Sequence, residues 1–490
     1  MRSKEPATRG TLAVVCLSTA MLMLDIAVVN TALAQIARDL HSGLSGVQWV
    51  VDAYTIALAT VVLSAGSLAD RLGRRRIFAW GMGLFTATSM VCSLATSIGV
   101  LDGARALQGI GAAMMFASSL AILTDTFPRG HERAKAFAAY GATIGAAFAI
   151  GPLVGGALTS AVSWRAVFCI NLPLGLATIA AAFVWVRESH DPSPRKLDWR
   201  GQATLTTGVF LLVLALLRAN TDGWSSPRIL LELAGGAALL GLFLFIERRV
   251  DEPMLPLRYF RRRDFSAAQL AAFSISASFF AIFLYTTLYL QEVLGLSPIE
   301  TGLVYLPGTI LVFAVSGASA QLTRRIAPGA LIVVGLGLIA GGLALMTSAG
   351  AGSSWTAFLP GELVVCLGTG LVNPALAAVA MGSVSEQQSG LAAGVNDAFR
   401  QCGIAVGIAA FGALVPASAA LGHGPADSYV TGLHHSLLVG AAIAAVGAAL
   451  TAALLGARRL AATAASAEPP LHRPSRALMR PQPIPTEEHS

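Results

Sequence analysis

The chain has 490 residues, of which 55% are hydrophobic and only 12% are charged, and its formal net charge is +7. A soluble globular domain carries about 25% charged residues, so this composition excludes a soluble protein and predicts a chain that lies in a lipid bilayer. The basic residues are scattered over the polar segments between apolar runs. They therefore do not indicate a nucleic-acid partner.

Apolar runs of about 20 residues recur along the chain, and this is the length that an α-helix needs to cross a bilayer. They predict an all-α integral membrane protein with fourteen transmembrane helices, grouped as six, two and six. The predicted spans are 11–33, 47–69, 77–98, 102–124, 136–158, 166–186, 203–219, 229–247, 267–290, 299–320, 328–348, 356–380, 392–416 and 434–456.

The spans divide the chain into five predicted parts. These are a cytoplasmic N-terminus (1–10), an N-terminal six-helix bundle (11–186), a linker with the two extra spans (187–266), a C-terminal six-helix bundle (267–456) and a disordered cytoplasmic tail (457–490). The tail is rich in proline, alanine and arginine, a composition that does not build a packed core.

Positive charge predicts the orientation, because loops rich in lysine and arginine stay in the cytoplasm. Most of the 33 lysine and arginine residues lie in the N-terminus, in the loops that follow even-numbered spans and in the C-terminal tail. Both termini are therefore expected in the cytoplasm. We expect a multi-pass protein of the cell (cytoplasmic) membrane.

Asp25 lies well inside the first apolar run. A carboxylate near the centre of a bilayer costs about 2.5–3.5 kcal/mol on insertion scales, so such a residue usually has a function. One interpretation is a proton or cation site in a transport path. The other is a buried side chain that is hydrogen-bonded to a neighbouring helix.

An energy source is suggested by elimination. No lysine follows a glycine, so the sequence has no GxxxxGK[ST] phosphate loop. The ionisable residues inside the spans favour an ion gradient instead. The five cysteines lie in spans at unrelated spacings and no HExxH pattern occurs, so we predict no metal site, no cofactor and no enzymatic activity.

The loop after the second span carries a distinct pattern of glycines and charges. It contains Gly66, Asp70, Arg71, Gly73 and Arg74. Gly73 can supply the turn that ends a helix, whereas Asp70 at a helix C-terminus is disfavoured by the dipole and needs a cationic partner or a helix N-terminus. This favours a conformational latch between two bundles. A plain positive-inside loop would explain the arginines alone.

This loop closely resembles the signature loop of the major facilitator superfamily, and other segments resemble its motifs in the required order. The matching segments are Arg105–Gly111 (RALQGIG), the antiporter-type Gly145–Gly156, Leu24–Leu33, Trp164–Pro173, Tyr289–Gln291 and Asn396–Gln401. The segment that begins at Leu24 resembles the first-span signature of fourteen-span drug:proton antiporters. The resemblance covers about residues 10–456. It implies two six-helix bundles plus two extra central helices, and a monomer.

A weak internal repeat agrees with two related halves. Ser316–Arg325 lies in the second half where the Gly66–Arg75 loop lies in the first, but Asp70 corresponds to Ala320 and Gly73 to Thr323. The repeat has therefore lost its acid, and the latch is expected to be asymmetric. Two related bundles that rock about a midplane site are typical of such transporters.

The antiporter-type segment contains three glycines and a proline. Gly151, Gly155 and Gly156 let a neighbouring helix approach closely, and Pro152 removes a backbone donor. The four residues predict a gate between helices, with ordinary helix packing as the alternative. For Arg105, the resemblance implies a role in proton coupling. The alternative is a fixed salt bridge that holds helices together.

Three further acids lie in or near spans. Asp397 and Arg400 share one face of the thirteenth span, so they either neutralise each other or leave Asp397 as a second proton site. Asp52 and Glu362 are candidate second acids near the outer ends of their spans. The alternative for both is that they face water outside the membrane.

A substrate cavity is expected between the bundles. Aromatic residues cluster in the ninth span and either line a cavity for flat apolar cations or pack against lipid; they are Phe279, Phe280, Phe283, Tyr285 and Tyr289. The residues that we select as candidate cavity lining are Asn30, Gln108, Phe283, Tyr289, Asn396 and Arg400.

We predict a proton-coupled antiporter that exports amphipathic or cationic drugs and toxic small molecules. In this hypothesis Asp25 takes a proton from outside and the substrate displaces it, while Asp70 and its arginines stabilise one state. The expected partners are the small-molecule substrate, protons and the lipid bilayer. The alternatives are a dedicated exporter of one endogenous metabolite or antibiotic, a proton-symporting importer and a membrane sensor that transports nothing.

Overall fold

The computed structural model describes residues 5–127, 130–191, 197–323, 325–384, 388–417, 419–422 and 424–456. The predicted disordered tail, 457–490, lies outside the described residues, as do residues 1–4 at the N-terminus.

The described residues form fourteen long helices and no strand. The helices are α1 (Glu5–Asp39), α2 (Leu44–Leu72), α3 (Arg74–Ser93), α4 (Ile98–Thr126), α5 (Gly130–Ala161), α6 (Ala166–Trp185), α7 (Trp199–Asp222), α8 (Pro227–Arg249), α9 (Arg263–Val293), α10 (Pro298–Leu322), α11 (Pro328–Met346), α12 (Leu359–Gly382), α13 (Ser389–Gly412) and α14 (Ala426–Leu455). Short 3₁₀ turns at Leu257–Arg261 and Trp355–Ala357 precede α9 and α12.

An all-helical membrane protein is confirmed, and twelve of the described helices are long and apolar enough to cross a bilayer. The two others are α3 and α13, and α13 carries Asp397 and Arg400 in its middle. A helix overlaps each of the fourteen predicted spans, but these two do not qualify by their composition. The fourteen-span count therefore stays a prediction.

Two helices, α6 and α9, are irregular. Helix α6 consists of two pieces, Ala166–Cys169 and Asn171–Trp185, which meet at Ile170. Helix α9 contains two π-helical segments, Ser276–Phe280 and Tyr289–Val293. Such π segments are frequent at functional sites.

The helices pack as two groups of six. In the first group α1 packs on α5, and α4 packs on both α2 and α3. In the second group α12 packs on α10 and α11, whereas α9 packs on α13 and α14. The two groups, which we call the first half and the second half, meet where α2 packs on α13 and where α5 packs on α10. Helices α7 and α8 pack on each other, and α7 contacts both α2 and α13.

Several hydrogen bonds join the halves at the end of the molecule where α1 connects to α2, which we call the α1–α2 end. The Nε2 atom of Gln291 donates to the carbonyl oxygen of Thr31 at 3.0 Å, and Arg38 Nη2 lies 2.5 Å from Glu292 Oε1. The amide of Ile299 in α10 also donates to the hydroxyl of Ser160 in α5. The halves are therefore closed against each other at this end.

Candidate functional site

The carboxylate of Asp25 lies at the centre of the first half and is almost completely buried. Its Oδ2 atom accepts a hydrogen bond from Arg105 Nη1 at 2.6 Å. Its Oδ1 atom accepts from Gln108 Nε2 at 3.1 Å and from Asn171 Nδ2 at 2.9 Å. Three donors from α4 and α6 therefore hold the ionised carboxylate of α1.

Arg105 is equally buried and has acceptors on several sides. Its Nε atom donates to the carbonyl oxygen of Val50 at 2.9 Å, and Nη1 also donates to Gln108 Oε1 at 2.8 Å. The guanidinium carbon lies 4.3 Å from the ring centroid of Tyr54. The ion pair with Asp25 thus satisfies the two conditions for a stable buried charge, a counter-charge and further hydrogen bonds.

A second layer fixes the amides that hold Asp25. The hydroxyl of Ser89 in α3 accepts from Gln108 Nε2 at 2.7 Å and from Asn171 Nδ2 at 3.2 Å. Asn171 begins the second piece of α6, directly after Ile170. Neither Ser89 nor Asn171 was selected as a site residue from the sequence, although an asparagine in an apolar span is itself a signal.

The site can exist in two charge states. While Asp25 is ionised, Arg105 is bound to it. A proton on Asp25 would remove the counter-charge of Arg105, which would then need another acceptor or contact with water. The arrangement therefore permits a proton and Arg105 to compete for one carboxylate.

The glycines of the antiporter-type segment lie where α5 touches two other helices. A Cβ atom on Gly151 would overlap Ala27 of α1, two residues after Asp25, and one on Gly155 would lie 2.7 Å from the Cα of Val28. A Cβ on Gly156 would lie 2.9 Å from the Cα of Ile299, which belongs to α10 of the second half. Pro152 lies inside α5, and its carbonyl oxygen would be 2.6 Å from a Cβ on Gly302.

The loop predicted as a latch makes its contacts within the first half. Arg74 is the cationic partner of Asp70, at 2.9 Å between Nη2 and Oδ1, and it also lies 3.6 Å from Asp125 of α4. Gly73 has φ +107°, which L residues rarely adopt. The Glu188 carboxylate, from the segment after α6, accepts from the Arg75 amide at 3.0 Å.

Two other residues of this loop make fewer contacts. Arg71 is exposed, and a Cβ on Gly66 would meet only Ala117, at 3.9 Å. In this conformation the contacts that the five latch residues make with other described residues therefore lie within the first half. The bond between the halves that was expected for Asp70 is replaced by its bond to Arg74.

The three candidate second acids are all buried. Among the residues that the structure describes, neither carboxylate oxygen of Asp52 has a hydrogen-bond partner, and Oε2 of Glu362 and Oδ2 of Asp397 also lack one. Asp52 and Glu362 therefore do not face water at the outer ends of their helices, as one alternative proposed. Burial without a partner makes an ionised carboxylate unfavourable.

Asp397 and Arg400 share a helix face but do not form an ion pair among the described residues. Arg400 Nη1 instead points to Asn373 Oδ1 of α12 at 3.4 Å, and its guanidinium lies 5.3 Å from the Phe280 ring centroid. The two charges still interact electrostatically, but no direct ion pair forms between them here, because the long arginine side chain reaches across to a neighbouring helix. Their mutual neutralisation stays a prediction.

The candidate cavity residues do not converge. Gln108 belongs to the Asp25 site, whereas the Phe283 ring stacks on Tyr305 at 4.4 Å and the Tyr289 hydroxyl donates to the carbonyl of Gly350, inside the second half. Asn30 donates to the Ile26 carbonyl of its own helix, and Asn396 Nδ2 lies 3.2 Å from Gln269 Oε1.

The aromatic residues of α9 are packed inside the protein. Phe279, Phe283, Tyr285 and Tyr289 are buried, so the alternative of lipid-facing packing is wrong for these four. Phe280 meets Phe148 of α5 edge to face at 5.3 Å, across the contact between the halves. Among the residues that the structure describes, no group of three His, Cys, Asp or Glu could hold a metal ion.

The fold resembles that of a solved transporter. The human organic anion transporter MFSD10 superimposes with a TM-score of 0.60 over 91% of this chain and 99% of that chain, at 17% sequence identity. This likeness concerns the fold alone.

In sequence, the chain is similar to proteins that are named for drug resistance and export. The multidrug resistance protein Stp of Mycobacterium tuberculosis is 35% identical over 81% of this chain and 74% of its own length. The tetracenomycin C resistance and export protein of Streptomyces glaucescens is 36% identical over 67% of this chain and 61% of its own length. The family model described as Major Facilitator Superfamily matches residues 15–408. The chain therefore belongs to the Major Facilitator Superfamily of membrane transporters.

Proposed function

We propose that this protein exports amphipathic or cationic small molecules, including drugs, across the cell membrane in exchange for protons. Relatives at 35–36% identity carry the names of a multidrug resistance protein and of an antibiotic resistance and export protein. The observation that carries the proton coupling is the buried pair of Asp25 and Arg105. Buried ionisable residues inside membrane helices are typical of proton pathways.

The exchange of substrate for protons follows from the competition between a proton and Arg105 for the carboxylate of Asp25. When a proton binds Asp25, Arg105 loses its counter-charge, and its bond at 2.6 Å is weakened to one with a neutral acid. The helices α1 and α4 are then no longer held together by this ion pair, so proton binding favours a different packing of the first half. Loss of the proton restores the pair and the conformation of this structure.

The motion reaches the second half through α5. Gly151 and Gly155 fit α5 closely against α1 beside Asp25, while Gly156 fits the same helix against α10. A change in the position of α1 is therefore passed to the contact between the halves. In this proposal the antiporter-type segment acts as the gate.

The topology is part of the proposal. Fourteen spans with cytoplasmic termini would place the α1–α2 end outside the cell and the loop between α2 and α3 inside. The structure is then closed towards the outside by the bonds of Gln291 and Arg38. The six–two–six division at the predicted boundaries, the action of Asp70 and its arginines as a latch in another state, and a monomeric protein belong to the same proposal.

The test uses the purified full-length protein in proteoliposomes with a pH-sensitive dye inside and ethidium as the probe. A proton gradient is imposed across the liposome membrane and ethidium is then added. In the wild type, we expect the addition of ethidium to cause proton movement that the dye reports. Asp25→Asn keeps the shape of the side chain and an oxygen that can accept the two amide bonds, but it carries no titratable proton, so coupled movement should be lost. A protein that elutes as the wild type in size exclusion and still moves protons with ethidium would contradict the proposal.

A second candidate is a dedicated exporter of one endogenous metabolite or antibiotic. It is supported by the relative from Streptomyces glaucescens, whose name specifies tetracenomycin C. The same liposomes distinguish the two with a panel of lipophilic cations and of neutral polycyclic compounds. Proton movement with a single member of the panel would favour the dedicated exporter, and movement with many would favour broad drug export.

A further inference from the structure

The second half repeats the helix packing of the first in detail. A Cβ on Gly81 of α3 would lie 2.9 Å from the carbonyl oxygen of Gly111 in α4. A Cβ on Gly335 of α11 would lie 2.7 Å from the carbonyl oxygen of Gly368 in α12. The pair α3–α4 therefore corresponds to the pair α11–α12. A Cβ on Gly342 would also lie 2.7 Å from the carbonyl oxygen of Gly361, so this contact aligns Gly111 with either Gly368 or Gly361.

A second contact, between α2 and α4 and between α10 and α12, favours Gly368 as the counterpart of Gly111. Gly109 of α4 faces Ala57 of α2, with 3.0 Å from its Cβ position to the Ala57 Cβ. In the second half Gly308 of α10 faces Cys366 of α12, at 2.8 Å from the Gly308 Cβ position to the sulfur. When α4 is aligned with α12 so that Gly111 corresponds to Gly368, Gly109 corresponds to Cys366. In the same alignment Arg105 corresponds to Glu362.

The aromatic partner is repeated as well. Tyr54, whose ring lies under the guanidinium of Arg105, is three residues before Ala57, and Tyr305 is three residues before Gly308. This alignment of α2 with α10 differs by one residue from that of the repeat at Ser316–Arg325. Tyr305 is buried, as Tyr54 is. Glu362 thus occupies the position of Arg105 in the second half, but with the opposite charge.

The position of Asp25 can be transferred in the same way. A Cβ on Gly155 of α5 would lie 2.7 Å from the carbonyl oxygen of Val28, and a Cβ on Gly407 of α13 would lie 2.6 Å from that of Ala277. When α1 is aligned with α9 so that Val28 corresponds to Ala277, Asp25 corresponds to Ser274. Where the first half has a carboxylate and a guanidinium, the second half has a hydroxyl and a carboxyl.

Glu362 has no counter-charge in this arrangement. It forms no ion pair among the described residues, and its Oε2 atom accepts no hydrogen bond. Helix α11 carries no charged residue, and the charged residues of α9 and α10 lie near their ends. The one arginine that reaches α12 from α13, Arg400, binds Asn373, which is about 16 Å along the helix from Glu362. The remaining titratable neighbours are Tyr305 and Cys366.

We propose that Glu362 is a second proton-binding site and that it holds a proton in the conformation of this structure. An ionised carboxylate, buried and without a cation, is strongly disfavoured, so the neutral acid is the form that fits. The two halves then carry opposite states in one conformation, with Asp25 ionised against Arg105 and Glu362 protonated. Only the exchange of this proton during transport rests on the proposed function.

Infrared spectroscopy tests the proton directly, without transport. The purified wild type in detergent is expected to show the C=O stretch of a protonated carboxylic acid, and Glu362→Gln should lose one such contribution. Asp25→Asn is the matched buried control and Asp427→Asn, in the exposed first turn of α14, is the surface control. Neither control variant should lose intensity in the C=O band of the protonated acid. An unchanged band in Glu362→Gln would overturn the proposal.

Proteoliposomes test whether the proton is exchanged. With ethidium as substrate, Glu362→Gln is expected to move one proton fewer per ethidium than the wild type. An unchanged ratio, together with loss of the infrared band, would show a permanently bound proton and would overturn the exchange. If the wild type itself moves no protons, the proposed function fails, whereas the infrared result still decides the proton on Glu362.

Discussion

Arg105 and Asp25, which are 80 positions apart in the chain, lie 2.6 Å apart in a site that excludes solvent from both. A buried ion pair persists while both partners are charged, because removal of one charge leaves the other without compensation. Protonation of Asp25 therefore weakens its interaction with Arg105. Mutations can measure the free energy of this interaction.

Arg105→Ala is expected to lower the free energy of unfolding by about 3–5 kcal/mol, because it leaves Asp25 buried without a cation. The same substitution in an Asp25→Asn background should cost clearly less, since no carboxylate is then left unpaired. A double-mutant cycle from thermal unfolding in detergent measures the difference as a coupling energy.

The pair of Arg218 and Glu232 provides the comparison. Arg218 Nη1 lies 2.9 Å from Glu232 Oε1, but 36% of the Arg218 side chain is exposed. A cycle on this pair is expected to give a coupling of about 0–1 kcal/mol. Coupling energies of equal size for the two pairs would contradict the view that burial makes the Asp25 pair strong.

Tyr285 is expected to hold the α1–α2 end closed. Its hydroxyl accepts from Gln48 Nε2 at 2.6 Å and donates to the carbonyl of Ile408, so one side chain of α9 joins α2 and α13. Tyr285→Phe leaves the buried amide of Gln48 with a single bond of 3.4 Å, to Ile408. A buried polar group that loses its partner costs about 1–3 kcal/mol, which should favour opening at this end.

Spin labels can measure this opening. Labels at the exposed positions His41→Cys and Ser354→Cys, in a background with the five native cysteines replaced by alanine, report the distance between the halves at the α1–α2 end. Tyr285→Phe should increase the population of long distances. Arg165→Gln is the control: Arg165 pairs with Asp39 within the first half at the same end, 39% and 50% of the two side chains are exposed, and the expected effect is about 0–1 kcal/mol. A larger opening in Arg165→Gln than in Tyr285→Phe would contradict the role of Tyr285.

The sequence predicted where helices lie better than it predicted what their polar residues touch. The spans followed from runs of apolar residues, which are local. The partners of Asp25 come from α4 and α6 and depend on packing, so Asn171 and Ser89 were not selected. Chain position alone does not reveal which helices become neighbours.

Charge pairs between residues close in the chain were predicted with mixed success. A cationic partner for Asp70 was expected, and it is Arg74, which lies beyond the Gly73 turn at the start of α3. Asp397 and Arg400 have a similar spacing but do not pair, because Asn373 of α12 lies within reach of the arginine. Spacing on a helix makes a contact possible, and the surrounding helices decide whether it forms.

Gly151→Ala is expected to destabilise the protein by about 1–3 kcal/mol, since the new methyl group would overlap Ala27 in a closely packed contact. Because Ala27 is two residues from Asp25, transport should fall as well. Gly141→Ala, in the same helix but with no atom within 4 Å of its Cβ position, is the matched control and should gain up to about 1 kcal/mol from helix propensity. Thermal unfolding in detergent distinguishes them, and equal shifts in Tm would contradict close packing at Gly151.

Gly73→Ala tests the turn between α2 and α3. An alanine at φ +107° carries backbone strain of about 1–3 kcal/mol, and its methyl group would lie 2.7 Å from the carboxylate of Glu188. The substitution should therefore lower the Tm and displace Glu188 from the amide of Arg75. Gly83→Ala in α3 has an open Cβ position and should raise the Tm slightly. Hydrogen exchange at the Arg75 amide should accelerate in the first variant and not in the second; the same protection in both would mean that Glu188 binds this turn independently of its backbone conformation.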